Sequence, residues 1–162
     1  MEPDVGMAGQ SNVTLPTLVS LILCDQIIDD RLTGKKSAIG LFNTIWLTSA
    51  PARIQAIAVM ASLTEITGRI PLELRLVRDA DNATLMGSRG VLEAPSPLAV
   101  VDLVFVMQGI PLATAGQYAF ELYARGEMLG RRRFHALVGR APPASGPPIP
   151  PVVSPDQPDE PA

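Results

Sequence analysis

The sequence predicts an all-β sandwich. From Leu18 to Val138 short apolar runs follow one another, and each ends at a turn signal rich in Gly, Pro, Asp or Asn. Several runs alternate apolar and polar residues with a period of two, which is typical of strands buried on one face. The chain has 162 residues, of which 47% are hydrophobic, and this suffices for one sandwich core without disulfides or metals.

The first three predicted strands are Leu18–Ile28, Ser37–Leu47 and Ile54–Glu65. A charged turn that contains Gly34, a residue that tolerates positive φ, ends the first strand, and a turn at Pro51 follows the second. The Ala and Met residues of the third segment also suit a helix, but the neighbouring strands and strict alternation favour β. The predicted inward positions of this strand are Ile57, Val59, Ala61 and Leu63.

The next three strands follow in order. Pro71–Asp79 shows the clearest alternation, because three leucines alternate with Glu and Arg. Thr84–Leu92 is weaker, since two glycines interrupt it. Pro95 and Pro97 exclude continuous pairing and predict a crossover before the strand Leu98–Met107.

The last two predicted strands form a hairpin. Gly116 and Tyr118 open the first of them, Arg125-Gly126 makes a tight connection, and Met128–Val138 returns. The return strand is expected to point Phe134, Ala136 and Val138 inward. A Gly two residues before a Tyr resembles the tyrosine corner of immunoglobulin-like sandwiches, whose hydroxyl bonds to upstream backbone. The alternative is an ordinary core tyrosine, and the Cys–Trp–Cys framework of antibody domains is absent.

The sequence therefore predicts an antiparallel, immunoglobulin-like β-sandwich of seven to eight strands over residues 14–140. Residues 1–13 are polar and contain glycine, so a flexible leader is expected. Residues 141–162 hold more than half of the prolines, which cannot donate to a sheet ladder and interrupt helices. A disordered, Pro-rich C-terminal tail is expected there.

Two stretches of the chain resemble an uncharacterised family of small bacterial β-sandwich proteins. The opening run is Leu23-Cys24-Asp25 followed by Thr33–Phe42, and the closing features are Gly116-Gln117-Tyr118 and Phe134. The resemblance covers about residues 17–139 and implies the sandwich fold, while no function comes with the family.

Charge and composition exclude several functions. The net charge of −3 and the pI of about 5.1 argue against binding to a nucleic-acid backbone. The lone Cys24 lies in an apolar run and is expected to be buried and unreactive. No signal peptide or apolar stretch of membrane-spanning length is evident, so a cytoplasmic protein without membrane contact is expected.

The sequence offers no constellation for catalysis. His135 is the only histidine, and on an alternating strand it falls on the solvated face opposite Phe134. A zinc site requires three or four Cys or His ligands, and the chain has one of each. The two glycine spacings that bind phosphate, G-x-G-x-x-G and the Walker motif, do not occur. We therefore predict no enzyme activity, no catalytic residue and no cofactor.

Two acidic loops suggest an alternative, a ligand- or Ca²⁺-binding sandwich. Asp25, Asp29 and Asp30 flank the first turn, and Asp79 and Asp81 lie in another. Carboxylates in such loops can hold Ca²⁺, but the alternating ligand pattern with a distant acidic partner is incomplete. Turn formation by Asp is the more economical explanation.

Basic residues concentrate near the end of the domain. Arg125, Arg131 and Arg133 could form a patch for an acidic partner, whereas alternation sends Arg132 to the opposite face. Arginines also protect an exposed edge strand against pairing with other chains, and this interpretation is favoured.

Some strands are apolar on both faces, which leaves hydrophobic residues without a place in a two-layer core. These candidate interface residues are Ile22, Val100, Val104 and Val106. Another segment of the same chain could cover them, or a partner subunit could. The favoured function is a non-catalytic protein-interaction or structural module that self-associates through this apolar face, giving an oligomer at micromolar concentration.

Overall fold

The computed structural model describes residues 14–143 and residue 146, and all regular secondary structure in this part is β. The nine strands are β1 (Thr17–Asp29), β2 (Lys36–Leu41), β3 (Thr44–Leu47), β4 (Ala52–Thr64), β5 (Ile70–Arg78), β6 (Ala83–Leu92), β7 (Val101–Leu112), β8 (Gly116–Ala124) and β9 (Glu127–Val138). The all-β class is confirmed, with nine strands where seven or eight were expected. The predicted leader and most of the predicted tail lie outside the described residues.

The strands form a four-stranded sheet of order β2-β1-β4-β7 and a five-stranded sheet of order β3-β9-β8-β5-β6. Every pair is antiparallel except β3 and β9, which run parallel. The core lies between the sheets, and β4 is a strand as alternation predicts. Its inward side chains, each at most 1% exposed, are Ile57, Val59, Ala61 and Leu63.

The single strand predicted over Ser37–Leu47 is wrong. β2 ends at Leu41 in one sheet, and β3 begins at Thr44 in the other. Gly40, one residue before the end of β2, has a φ of +71°, a conformation that other residues rarely adopt. A Cβ at this position would also collide with the carboxylate of Asp25. Glycine is therefore required where the chain leaves the first sheet.

The crossover predicted after β6 is confirmed, because β6 and β7 belong to different sheets. β7 begins at Val101 rather than Leu98 and continues to Leu112 rather than Met107. The amide of Ala99 donates to a carbonyl three residues upstream, at 3.1 Å, so this segment turns instead of pairing.

The hairpin of β8 and β9 agrees with the prediction. Arg125 and Gly126 both have positive φ, 51° and 83°, as a tight two-residue connection requires. The Tyr118 hydroxyl donates to the carbonyl of Thr114 at 2.6 Å, and its ring stacks on Phe134 with centroids 5.7 Å apart. This hydroxyl bond is the one that a tyrosine corner predicts.

One inward position on β9 was predicted wrongly. Phe134 and Ala136 are buried, but Val138 is 49% exposed. The pairing of β8 with β9 starts at Ala136, so Val138 extends past the end of β8 and pairs only with Leu47 of β3.

Candidate interaction face

The four-stranded sheet presents an apolar outer face, on the side away from the core. Directly paired residues of neighbouring antiparallel strands share a face, so the register defines rows across the sheet. One row consists of Leu41, Cys24, Ala58 and Val106, and the adjacent row of Ile22, Met60 and Val104. We call these two rows, together with Ile39 on β2, the apolar face.

The predicted interface residues lie on or beside this face. Val104 and Val106 are 37% and 58% exposed on β7, and Ile22 is half-buried in the row of Val104. Val100 is 60% exposed and lies immediately before β7. The structure therefore brings three of the four residues together and places the fourth at the margin.

Sequence reasoning missed two residues of β2. Leu41 is 66% exposed and Ile39 is 47% exposed, and they extend the apolar face to the far edge of the sheet. Alternation with Ala38 and Gly40 is the signal that groups these two side chains on one side. The prediction of one continuous strand over Ser37–Leu47 did not separate this alternation in β2 from the residues of β3.

Small side chains occupy the centre of the apolar face. Cys24 is 0% exposed and Ala58 is 2% exposed, although both point away from the core. Burial is the main reason that the pKa of the Cys24 thiol is raised, so the reactive thiolate is scarce near neutral pH. The cysteine is therefore part of a packed surface.

A polar pair limits the apolar face at one end. The Ser62 hydroxyl donates to the carboxylate of Asp102 at 2.5 Å, linking β4 to β7. Ser20 of β1 pairs with Ser62 in the same row. The next row is thus polar, and the one carboxylate in it already has a hydrogen-bond donor.

The outer face of the five-stranded sheet is charged instead. Arg131 bridges Asp79 and Glu121, and Arg133 also contacts Asp79, with Nε at 3.2 Å from Oδ2. Tyr123 donates its hydroxyl to Glu121 at 2.7 Å, which raises the pKa of the tyrosine. Glu121 is only 6% exposed, so these partners compensate a largely desolvated carboxylate.

The network continues onto β5. The guanidinium of Arg75 lies 4.3 Å from the ring centroid of Tyr123 and bonds to Glu73 at 2.9 Å. This bond is the main cause that lowers the pKa of Glu73. Arg89 on β6 approaches the same carboxylate at 3.6 Å. Alternating signs therefore extend over four strands, and these charged groups have partners of opposite sign on the same face, while Nε of Arg131 is buried without a hydrogen-bond partner.

The three arginines predicted to form a patch for an acidic partner do not all lie together. Arg131 and Arg133 share Asp79, whereas Arg125 lies at the β8–β9 turn and donates to the carbonyl of Arg69 at 3.2 Å. The three arginines thus form no joint cluster, and two of them already have acidic partners within the chain.

Carboxylates of the acidic loops are bound by nearby side chains of the same chain. Arg78 binds Asp81 at 2.6 Å and, with the amide of Ala83, lowers the pKa of Asp81 to about 2. Asp30 accepts from Thr33 at 2.6 Å, and Asp29 pairs with Lys36 at 3.4 Å. Within residues 14–143 no group of three or more acidic, His or Cys side chains could hold a metal ion.

A cavity beside β4 and β7 is lined by apolar and basic side chains. Its volume is about 410 Å³, and its lining includes Leu85, Leu112 and two arginines, Arg53 and Arg78. Arg53 donates to a backbone carbonyl at 3.0 Å, and Arg78 is bound by its acidic neighbour. His135 is exposed on β9, beside Gln117 at 3.3 Å, and no carboxylate or nucleophile contacts it among the described residues.

Comparisons with known proteins give a family but no activity. A model described as a family of unknown function (DUF6941) matches residues 19–137. No curated protein matches the chain. A solved structure of the Pseudomonas fluorescens alkylpurine DNA glycosylase AlkC, bound to DNA containing an abasic site analogue, is similar at 11% identity and a TM-score of 0.44. The match covers 75% of this chain and only 30% of the glycosylase chain.

None of the segments that the structure describes is a helix of the length and hydropathy needed to span a lipid bilayer.

Proposed function

We propose that this chain, which belongs to the family of unknown function DUF6941, is a non-catalytic module that self-associates through the apolar face. The proposal is supported by the exposed aliphatic side chains that cover the outside of one sheet, while charged side chains on the outside of the other sheet pair with one another. A two-fold contact places a face against an identical face, so it suits a patch without unpaired charge. A second copy is therefore the partner we assign.

The size of the face predicts a weak contact. The exposed fractions of Leu41, Val106, Ile39 and Val104 amount to roughly two fully exposed aliphatic side chains. Burying them contributes about 3–6 kcal/mol per copy, and twice that for a symmetric pair. Association costs about 4–15 kcal/mol in lost freedom of motion. The dissociation constant is then about micromolar at best.

The test is the change Leu41→Glu, with Leu32→Glu as the matched control. Both leucines are exposed, but Leu32, at 97%, lies in the turn between β1 and β2 and outside the apolar face. Losing the burial of Leu41 costs about 1.4 kcal/mol per copy, and the symmetric contact doubles this. Sedimentation equilibrium should show the contact between apolar faces weakened at least about 100-fold by Leu41→Glu. Leu32→Glu should associate as the unmodified chain does.

Equal association of the two variants would overturn the assignment of the face. A mass of 17.2 kDa for the unmodified chain at all concentrations would overturn self-association itself.

We also propose an immunoglobulin-like arrangement and a cytoplasmic location. The bond from the Tyr118 hydroxyl to the backbone of Thr114 supports the first. A lone, buried Cys24 supports the second, because reducing compartments keep thiols free.

A further inference from the structure

The strand β7 lies at one edge of the four-stranded sheet and has β4 as its one neighbour there among the described residues. It spans 12 residues, Val101–Leu112. In an antiparallel pair, alternate residues direct their backbone N–H and C=O groups away from the partner strand. Half of the peptide groups of β7 therefore face outward.

Side-chain burial shows that this edge is uncovered over Val101–Phe105, whereas the inward side chains nearer its end, Met107, Ile110 and Leu112, are buried. On β4, Val59, Ala61 and Leu63 point inward and are 0% exposed. Their direct partners on β7, which are Phe105, Leu103 and Val101, point inward too but are only partly buried. The difference is what a missing lateral neighbour produces, since the inner side chains of an edge strand lack cover on one side.

The other three edges are protected in ways that natural sheets use. β2 has six residues and begins with Lys36, and β3 has four residues. β6 carries the charged Arg89, and its pairing with β5 has a register irregularity at Leu76/Val77. β7 has no such device from Leu103 to Gln108, because its acidic residue lies before this stretch and its proline after it.

We propose that the free edge of β7 pairs with β7 of a second copy, antiparallel about a two-fold axis. The two four-stranded sheets then become one eight-stranded sheet. The pairing satisfies the outward peptide groups and covers the partly exposed Leu103 and Phe105 on one side and Val104 and Val106 on the other. The stretch Leu103–Gln108 carries no charge and the one acidic residue of β7, Asp102, lies near its start, so no like charges meet in the middle of a two-fold pair.

A second copy fits this edge better than the chain's own C-terminal segment. Of the residues 147–151, four are prolines, which have no N–H to donate to a ladder. The edge contact reaches Val104 and Val106 of the apolar face from the side and uses the backbone of β7, so the two contacts can form together. With both in use, assembly goes beyond a dimer, to a closed tetramer if the two axes are compatible.

Hydrogen–deuterium exchange on the unmodified chain tests the pairing directly. Alternate amides in Leu103–Gln108 should exchange fast at a concentration where the chain is monomeric. They should exchange about 10-fold more slowly where nine-tenths of it is assembled. Exchange in β7 that does not depend on concentration would overturn the proposal. Slow exchange at all concentrations would also overturn it, because a segment of the same chain then covers the edge.

Variants separate the edge contact from the apolar face. Leu103→Lys places a lysine inward on an edge strand, where it reaches water sideways and an added strand would bury its charge. The matched control is Ser88→Lys, on the inward side of the edge strand β6. Leu103→Lys should lower the assembled mass to a dimer held by the apolar face, and Ser88→Lys should not change it.

Combining the two variants distinguishes a failure of the edge contact from a failure of the contact between apolar faces. Leu41→Glu alone should leave a dimer held by the edge, and Leu41→Glu with Leu103→Lys should give a monomer. A mass unaffected by Leu103→Lys would overturn the edge contact, whatever Leu41→Glu does. Should Leu103→Lys unfold the protein, the exchange experiment on the unmodified chain decides.

Discussion

The hydroxyl of Tyr118 provides the sharpest test of the fold. Tyr118→Phe keeps the ring, which is 1% exposed and stacked on Phe134, and removes only the bond to the carbonyl of Thr114. A hydrogen bond between neutral groups contributes about 0.5–1.5 kcal/mol net to stability. Thr114 is exposed, so water can replace the lost donor and no buried acceptor is left unpaired. We expect a loss of about 1 kcal/mol.

The assay is urea unfolding at a protein concentration low enough that self-association does not contribute. The corresponding fall in the melting temperature is about 3–5 °C for a domain of this size. Tyr118→Ala removes the ring as well and should cost about 3–5 kcal/mol. A Tyr118→Phe variant as stable as the unmodified chain, or as unstable as Tyr118→Ala, would refute this role for the hydroxyl.

Three further predictions concern charged and reactive groups. The pKa of Asp81 is about 2 when folded and about 3.9 when unfolded, so its stabilising effect is complete above the unfolded value and is lost as the pH falls toward 2. Between pH 4 and 2 the melting temperature should fall less for Asp81→Asn, and equal falls would contradict the pairing with Arg78. Asp79→Asn removes the partner that Arg131 and another arginine share, and urea unfolding should show a loss of about 1–3 kcal/mol. No loss would show that this pairing does not stabilise the fold. Cys24 should resist thiol reagents at pH 8 until the protein unfolds, and stoichiometric labelling of the native chain would contradict its burial.

Sequence patterns predicted those features of the fold that depend on interactions between neighbouring residues. Alternation of leucines and charged residues fixes which side of β5 is buried, because successive side chains of a strand point to opposite faces. The connection at Arg125-Gly126 follows from the backbone conformation that a two-residue hairpin needs. Both signals depend on a few adjacent residues, and the structure confirms both.

Features that depend on distant residues were not predictable from pattern. The need for glycine at position 40 depends on the approach of Asp25, 15 residues earlier in the sequence. Asp79 and Arg131 meet across 52 positions, which turns an apparent basic patch into an internal network. The apolar surplus on β7 was visible in the sequence, but only strand order shows that β7 lies at an edge.

The mass of the unmodified chain as a function of concentration tests self-association most directly. Sedimentation equilibrium up to about 100 μM should show a mass that rises above 17.2 kDa and persists in about 1 M salt, because screening weakens charged contacts but not apolar ones. A mass of 17.2 kDa throughout, or association that salt abolishes, would contradict assembly through the apolar face.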